Sequence, residues 1–142
     1  MTISVILAGR DGAVVSAEPD TTVGAAIALL AERRIGALPV IDGDTVVGIF
    51  SERDVIHAVA KLGAAALDRP VSELMTAPPV TVAADEDALS ALGLMTRRRI
   101  RHLPVLADGA MVGFVSIGDL VKFRIDRIER EASALRDYIQ SV

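Results

Sequence analysis

Arg34-Ile35-Gly36-Ala37-Leu38-Pro39-Val40, followed by Val47-Gly48-Ile49-Phe50-Ser51-Glu52-Arg53-Asp54, returns 65 residues later. The second copy reads Arg99-Ile100-Arg101-His102-Leu103-Pro104-Val105, then Val112-Gly113-Phe114-Val115-Ser116-Ile117-Gly118-Asp119. The same shift lays Val15–Ile56 on Val80–Val121 without a gap, with 14 identities in 42 positions. So many matches in one register are not chance. A small unit repeated in tandem predicts two like halves packed about a pseudo-two-fold axis, and so two equivalent clefts. It also argues against an ordinary enzyme built around one asymmetric active site.

Working outward, each unit reads as a short β segment, helix, strand, strand and helix. In the first, Val14–Ala17 is extended, Glu18-Pro19-Asp20 turns, and Asp20 or Thr21 caps a helix over about Thr22–Arg34. Val23, Ala26, Ile27 and Leu30 recur at helical spacing, as do Ala88, Ala91, Leu92 and Met95 in the second. Ala37–Ile41 and Val46–Phe50 flank the turn signal Asp42-Gly43-Asp44 and predict a hairpin. Leu103–Leu106, Asp108-Gly109 and Met111–Val115 repeat it. Pro39 falls near a strand start, where a missing N–H is tolerable. A helix over Ser51–Leu62 completes the first unit.

The expected organisation is therefore residues 1–62 for the first unit with a short N-terminal segment, 63–79 for a linker, 80–123 for the second unit and 124–142 for a helical extension. The N-terminal segment is too short to read as helix or strand, and Gly9–Gly12 reads as a loop. The Ala- and Pro-rich linker carries a turn of helix at Val71–Leu74. The last helix runs from about Ser116 to Ile139, well past its counterpart. Along it Val121, Ile125, Ile128, Ala132, Leu135 and Ile139 form a heptad-like seam bordered by charge. That seam can fold back on its own domain or pack on a second subunit. Its narrowness and charged flanks favour the second subunit, and so a homodimer.

Composition sets the outer bounds. A chain of 142 residues, 51% hydrophobic, can bury a real core, which must be aliphatic because aromatics are only 3%. No apolar stretch is long enough to span a bilayer. Met1–Gly9 lacks the basic start and the length of a secretory signal. The absence of cysteine rules out disulfides and thiolate metal sites, and fits the cytoplasm. A net charge of −4 argues against nucleic acid as a partner. His57 and His102 have no metal-ligand spacing, and His57 reads as a surface or packed histidine.

Two constellations carry chemistry. Ser51-x-x-Asp54 and Ser116-x-x-Asp119 each follow a strand and open a helix. One reading is a capping box, weakened slightly because Asp is shorter than the Glu or Gln the box prefers. The other is a ligand site: a carboxylate at a helix N-terminus can accept a ribose cis-diol, and the Ser hydroxyl and nearby amides can meet a phosphate. The second constellation is Arg97-Arg98-Arg99 with Arg101-His102. Favourable interaction with the end of a helix explains the first three but not Arg101 and His102, which enter a strand. Here the units diverge. Gly36-Ala37 stand where Arg101-His102 stand in the second unit, and Arg53 stands where the second has Gly118. The clefts are therefore unequal, and the second is better suited to a phosphorylated ligand.

These residues, in this order and duplicated, resemble the CBS (cystathionine-β-synthase) domain, and the tandem is similar to a CBS pair, or Bateman module. The resemblance covers about Val14–Leu62 and Val80–Phe123. It implies an α/β fold (α+β type): two pseudo-symmetric β-α-β-β-α units packed through their sheets, with an extended C-terminal helix. It implies adenosyl ligands in the clefts: AMP, ADP, ATP, NAD or S-adenosylmethionine. It implies that Ser116, Asp119, Ser51 and Asp54 contact the ribose, and that Arg101 or His102 contacts the phosphate. Backbone at Ser16 and at Thr81-Val82 would meet the adenine edge. From the divergence of the units, the first cleft is expected to use Arg53, to bind weakly or to stay empty. Members of this family commonly regulate an enzyme or transporter; none is fused here, so the expected target is a separate chain. The expectation is a regulatory module with no required cofactor. The alternative is a ligand-free interaction module acting through its dimer and C-terminal helix. For an enzyme there is no nucleophile–base pair, metal cluster or phosphate-binding glycine loop.

Overall fold

Residues 1–10 and 13–141 are described by the computed structural model, so Asp11 and Gly12 of the expected Gly9–Gly12 loop lie outside the described residues. The first unit's leading helix is α2 (Val23–Arg33), and α1 (Ile3–Ala8) precedes it. Thr22 caps α2, one residue beyond the expected Asp20 or Thr21, and accepts the Ala25 amide on its hydroxyl. The Thr21 hydroxyl is taken by the Glu18 amide of the preceding turn. In the second unit Asp87 caps α4 (Ala88–Arg98), accepting the amides of Leu89 and Ser90. The buried faces match: Val23, Ala26 and Leu30 in α2, and Ala88, Ala91 and Met95 in α4. Both helices end on an arginine in the left-handed region, Arg34 at φ 54° and Arg99 at φ 55°. A residue in that conformation ends a helix and turns the chain, here toward the first strand.

The hairpins are equally alike. β1 (Ala37–Asp42) pairs antiparallel with β2 (Thr45–Ser51), and β4 (His102–Ala107) with β5 (Ala110–Ser116). Leu38 faces Phe50 and Leu103 faces Val115 in the same register, and all four are buried. The strands run further than the turn signals suggested because each loop is only two residues long. Asp108-Gly109 has positive φ at both positions, the I′ pattern that matches strand twist; at the other loop only Gly43 is positive. The β segments that open the units differ. Val82–Ala83 is a strand, β3, parallel to β4. Of the expected Val14–Ala17, only Ala17 joins the first sheet, donating to the Pro39 carbonyl and accepting the Ile41 amide. Glu52–Leu62 is α3, and Ile117–Ser141 is the long helix α5. Packing between β2 and β5 brings the two sheets together.

The segments around the units cross over. Met1–Ala8 was expected to belong with the first unit, yet Ile3 of α1 is fully buried in the second unit's core, with Met95, Leu103 and Val115. The linker does the reverse. It forms 3₁₀ turns over Gly63–Asp68 and Val71–Glu73, and Val71 is fully buried in the first unit's core beside Val23, Leu38 and Phe50. Thr2 bridges Asp87 much as Pro70 bridges Thr22. Leu7 lies over Gly113, and Met75 over Gly48. Each core is thus completed by a short apolar segment that precedes the other unit, which ties the halves together more firmly than sheet packing alone.

Candidate functional site

Both Ser-x-x-Asp segments sit where a strand ends and a helix begins. The chain must turn there, and the first amides of the helix lack intrahelical partners. In the first unit Ser51 caps α3. The Ser51 amide donates to Asp54 Oδ2 at 2.9 Å, and the Asp54 amide donates to Ser51 Oγ at 3.4 Å. The second unit forms the same reciprocal pair at the start of α5, Ser116 N to Asp119 Oδ2 at 2.7 Å and Asp119 N to Ser116 Oγ at 3.1 Å. Aspartate is therefore long enough to close the box, and the objection to capping drawn from its length does not hold.

The two carboxylates then part company. Asp54 is only 8% exposed. Its Oδ2 also accepts the Ser51 hydroxyl, and its Oδ1 accepts the Thr76 hydroxyl at 2.9 Å. Thr76 comes from the linker, where its amide and carbonyl bracket Ile49 of β2. Both oxygens of Asp54 thus accept hydrogen bonds from within the chain. The Asp119 side chain is 34% exposed. Its Oδ2 is paired with the Arg10 guanidinium, which also donates to the Phe114 carbonyl at 2.8 Å. Among the described residues, Asp119 Oδ1 takes no hydrogen bond. Partial burial alone would raise the Asp119 pKa. The Ser116 amide and the Arg10 guanidinium outweigh it and hold the carboxyl below its ordinary range.

His102 lies beside this carboxylate. Its ring stacks on Phe114 with centroids 5.6 Å apart and planes 12° from parallel. The open side of Gly36 faces the same ring, so first-unit backbone meets second-unit imidazole where the halves join. Burial disfavours the charged imidazole and lowers its pKa; Asp119 and Glu52 pull the other way, and Arg101 adds to the lowering. Arg101 itself is exposed, and its carbonyl accepts the Ile117 amide at the start of α5.

The remaining expected residues fall as follows. Thr81 is half-buried and Val82 buried, the latter's side chain in the second unit's core, so only its backbone is available to a ligand. Ser16 and Arg53 are exposed. Asp119, Ser116 and His102 therefore gather at one place, with Arg101 just ahead of the strand that His102 opens. Ser51 and Asp54 gather at the other, closed by Thr76. Arg10 and Thr76 were not foreseen as partners of the two carboxylates. A weak signal for them existed: Thr2–Leu7 matches Pro70–Met75 in apolar pattern, with Ser4 on Ser72, at a shift of 68 rather than 65. Among the described residues no group of three or more His, Asp or Glu could hold a metal ion, and no helix is long and apolar enough to cross a membrane.

Comparison with known proteins agrees with this architecture. A family model described as CBS domain matches twice, over residues 11–61 and 71–126. A mitochondrial CBS domain-containing protein of Arabidopsis thaliana is 34% identical over 135 residues, a match that takes in 92% of this chain and 66% of that protein. The chain thus spans just under two thirds of that relative's length. The crystal structure of a CBS-domain containing protein from Agrobacterium tumefaciens superposes with a TM-score of 0.82 at 38% identity, covering 87% of this chain and 99% of that one. A CBS domain protein of Pyrobaculum aerophilum complexed with AMP gives a TM-score of 0.74 at 28% identity, covering 84% of this chain and 89% of that one.

Proposed function

This chain belongs to the CBS domain family as a tandem pair, and on that premise we propose that it is a regulatory module binding an adenosyl ligand at Ser116 and Asp119. One observation carries this reading. Asp119 is partly exposed at a helix N-terminus and its Oδ1 takes no hydrogen bond among the described residues, whereas Asp54 is buried and both of its oxygens accept hydrogen bonds. A ribose cis-diol brings two O–H donors, and a carboxylate in that position accepts them well. His102 opens the adjoining strand and Arg101 immediately precedes it, where positive charge suits a phosphate. The backbone of Thr81 and Val82 is left for the adenine edge. AMP is the first candidate, since AMP accompanies the Pyrobaculum relative; ADP, ATP, NAD and S-adenosylmethionine share the adenosyl group and are tested beside it. The first cleft, with Ser51, Asp54, Arg53 and Ser16, is the weaker site because Asp54 is committed to the fold.

Occupancy of the second cleft bears on Arg10, which pairs with the same carboxylate and donates to the Phe114 carbonyl of β5. A ligand that draws on Asp119 shifts the balance between arrangements of the halves, and a separate partner protein reads that balance. Two copies of the chain pair in this reading.

Thermal unfolding with each ligand tests the proposal. A ligand that binds only the folded state, at a hundred times its dissociation constant, adds about 2.7 kcal/mol of stability. For a chain of this size that raises the unfolding temperature by about 5–10 °C. The expected result is such a rise with an adenosyl ligand, lost in Asp119→Ala. No rise with any of the ligands, using protein stripped of carried-over nucleotide, favours the ligand-free interaction module instead.

A further inference from the structure

The second half of α5 has no support from its own chain. Leu120 is the helix's buried residue, and the partly buried positions end at Arg127; every residue from Ile128 to Ser141 is exposed. Fourteen residues therefore project about 21 Å beyond the body, at 1.5 Å per residue. An isolated helix of that length is marginal in water. Yet it displays Ile128 at 47%, Leu135 at 59% and Ile139 at 63% exposure, continuing a stripe that begins at Val121 and Ile125. Placed on a heptad, Val121, Ile128 and Leu135 take the d positions, and Ile125, Ala132 and Ile139 take the a positions. The stripe lies to one side of the face that α5 turns to its own domain, so a second helix can lie against it without displacing the body.

The charges that flank the stripe identify the second helix. Arg124 and Glu131 fall at g, and Lys122, Glu129 and Arg136 at e. In a parallel, in-register pair, each g residue faces the residue five positions on in the other helix. That sets Arg124 against the partner's Glu129 and Glu131 against the partner's Arg136, each twice by symmetry, so all four contacts are attractive. All six apolar layers are then buried against their own copies. An antiparallel pair overlapping over the same length sets Lys122 against Arg136, Glu129 against itself and Glu131 against itself. The sequence of α5 is thus complementary to a parallel copy of itself. We propose that two chains associate through a parallel, in-register coiled coil of α5 over Val121–Ile139. The inference rests on the pairing of copies stated above but names its surface and direction; it is independent of nucleotide binding.

The chain contains no cysteine, so single cysteine variants report one position each. Val121→Cys and Leu135→Cys, oxidised at micromolar concentration, are each expected to give a disulfide-linked dimer. Both can do so only if the helices are parallel and in register, since an antiparallel pair cannot place both residues opposite their own copies. In sedimentation equilibrium, Arg124→Glu is expected to weaken the dimer about tenfold. The double variant Arg124→Glu/Glu129→Arg, which restores opposite charge, is expected to recover most of that loss. A monomeric wild-type chain would overturn both the pairing and the coiled coil. A wild-type dimer in which only one cysteine variant links, or neither does, or in which Arg124→Glu has no effect, would overturn the coiled coil alone.

Discussion

Asp54 and Asp119 occupy the same place in two copies of one motif, each three residues beyond a serine that caps a helix, and they serve differently because of what packs above them. Over Asp54 the linker lays Thr76, whose hydroxyl bonds the remaining oxygen of a buried residue. Over Asp119 the N-terminal segment lays Arg10, which pairs with the oxygen already used and leaves the side chain 34% exposed. The Thr76 hydroxyl gives the second oxygen of Asp54 a donor, while the Arg10 guanidinium neutralises Asp119 and leaves its second oxygen without a hydrogen bond among the described residues. The motif sets a helix start in both units. The segment that arrives from elsewhere decides how deeply that carboxylate is buried and what partners it takes.

The largest way to break the comparison is to remove both carboxylates in turn. Asp54→Ala is expected to cost about 2–3 kcal/mol in urea unfolding, because it removes a cap and strands the groups bonded to a buried carboxylate. Asp119→Ala removes the carboxylate that closes the Ser116 capping box at a partly exposed site and is expected to cost about 1 kcal/mol. Equal losses would mean that burial does not separate the two sites.

Next come the glycines that the crossing segments cover. A Cβ on Gly48 would lie 2.5 Å from Met75 Sδ and 2.9 Å from the Thr76 carbonyl oxygen; one on Gly113 would lie 2.6 Å from Leu7 Cδ2, with only the ends of that leucine near it. A leucine can swing aside, but a backbone carbonyl held by Ile49 cannot. Gly48→Ala is therefore expected to cost about 2 kcal/mol, and Gly113→Ala less than about 1 kcal/mol, by the same unfolding measurement.

Smaller effects come from pH. The Asp119 carboxyl is held below its ordinary range in the folded chain. Its contribution to stability is complete above about pH 4 and is lost as pH falls through the folded value. The His102 imidazole is also lowered, by burial. A histidine that resists charging when folded favours the folded state above about pH 6.5, and that support falls away as pH drops below it. Unfolding curves between pH 7 and 5 are expected to show this slope in the wild type and less of it in His102→Phe. If His102 meets a phosphate, AMP favours the charged imidazole, and its affinity is expected to rise over the same fall in pH.

Much of this was legible in the residues. The shift of 65 disclosed the two units and their hairpins, because strand alternation and turn chemistry are local and Asp108-Gly109 or Pro39 can be read where they stand. The serine–aspartate spacing disclosed helix starts. What stayed hidden was long-range. Ile3 and Val71 are short apolar segments that could have packed on either unit, and nothing local assigns each to the core farther along or farther back. Arg10 and Thr76 reach their carboxylates only because those segments cross. Ser51-x-x-Asp54 and Ser116-x-x-Asp119 are the same words, so their different exposure could not be read from them.

The most direct test of the central claim is calorimetric titration of AMP into the wild type, Asp54→Asn and Asp119→Asn, each confirmed folded by its unfolding curve. The account predicts one AMP per chain in the wild type, binding retained in Asp54→Asn, and binding lost in Asp119→Asn. Binding that survives in Asp119→Asn but disappears in Asp54→Asn would contradict it and place the ligand site in the first unit.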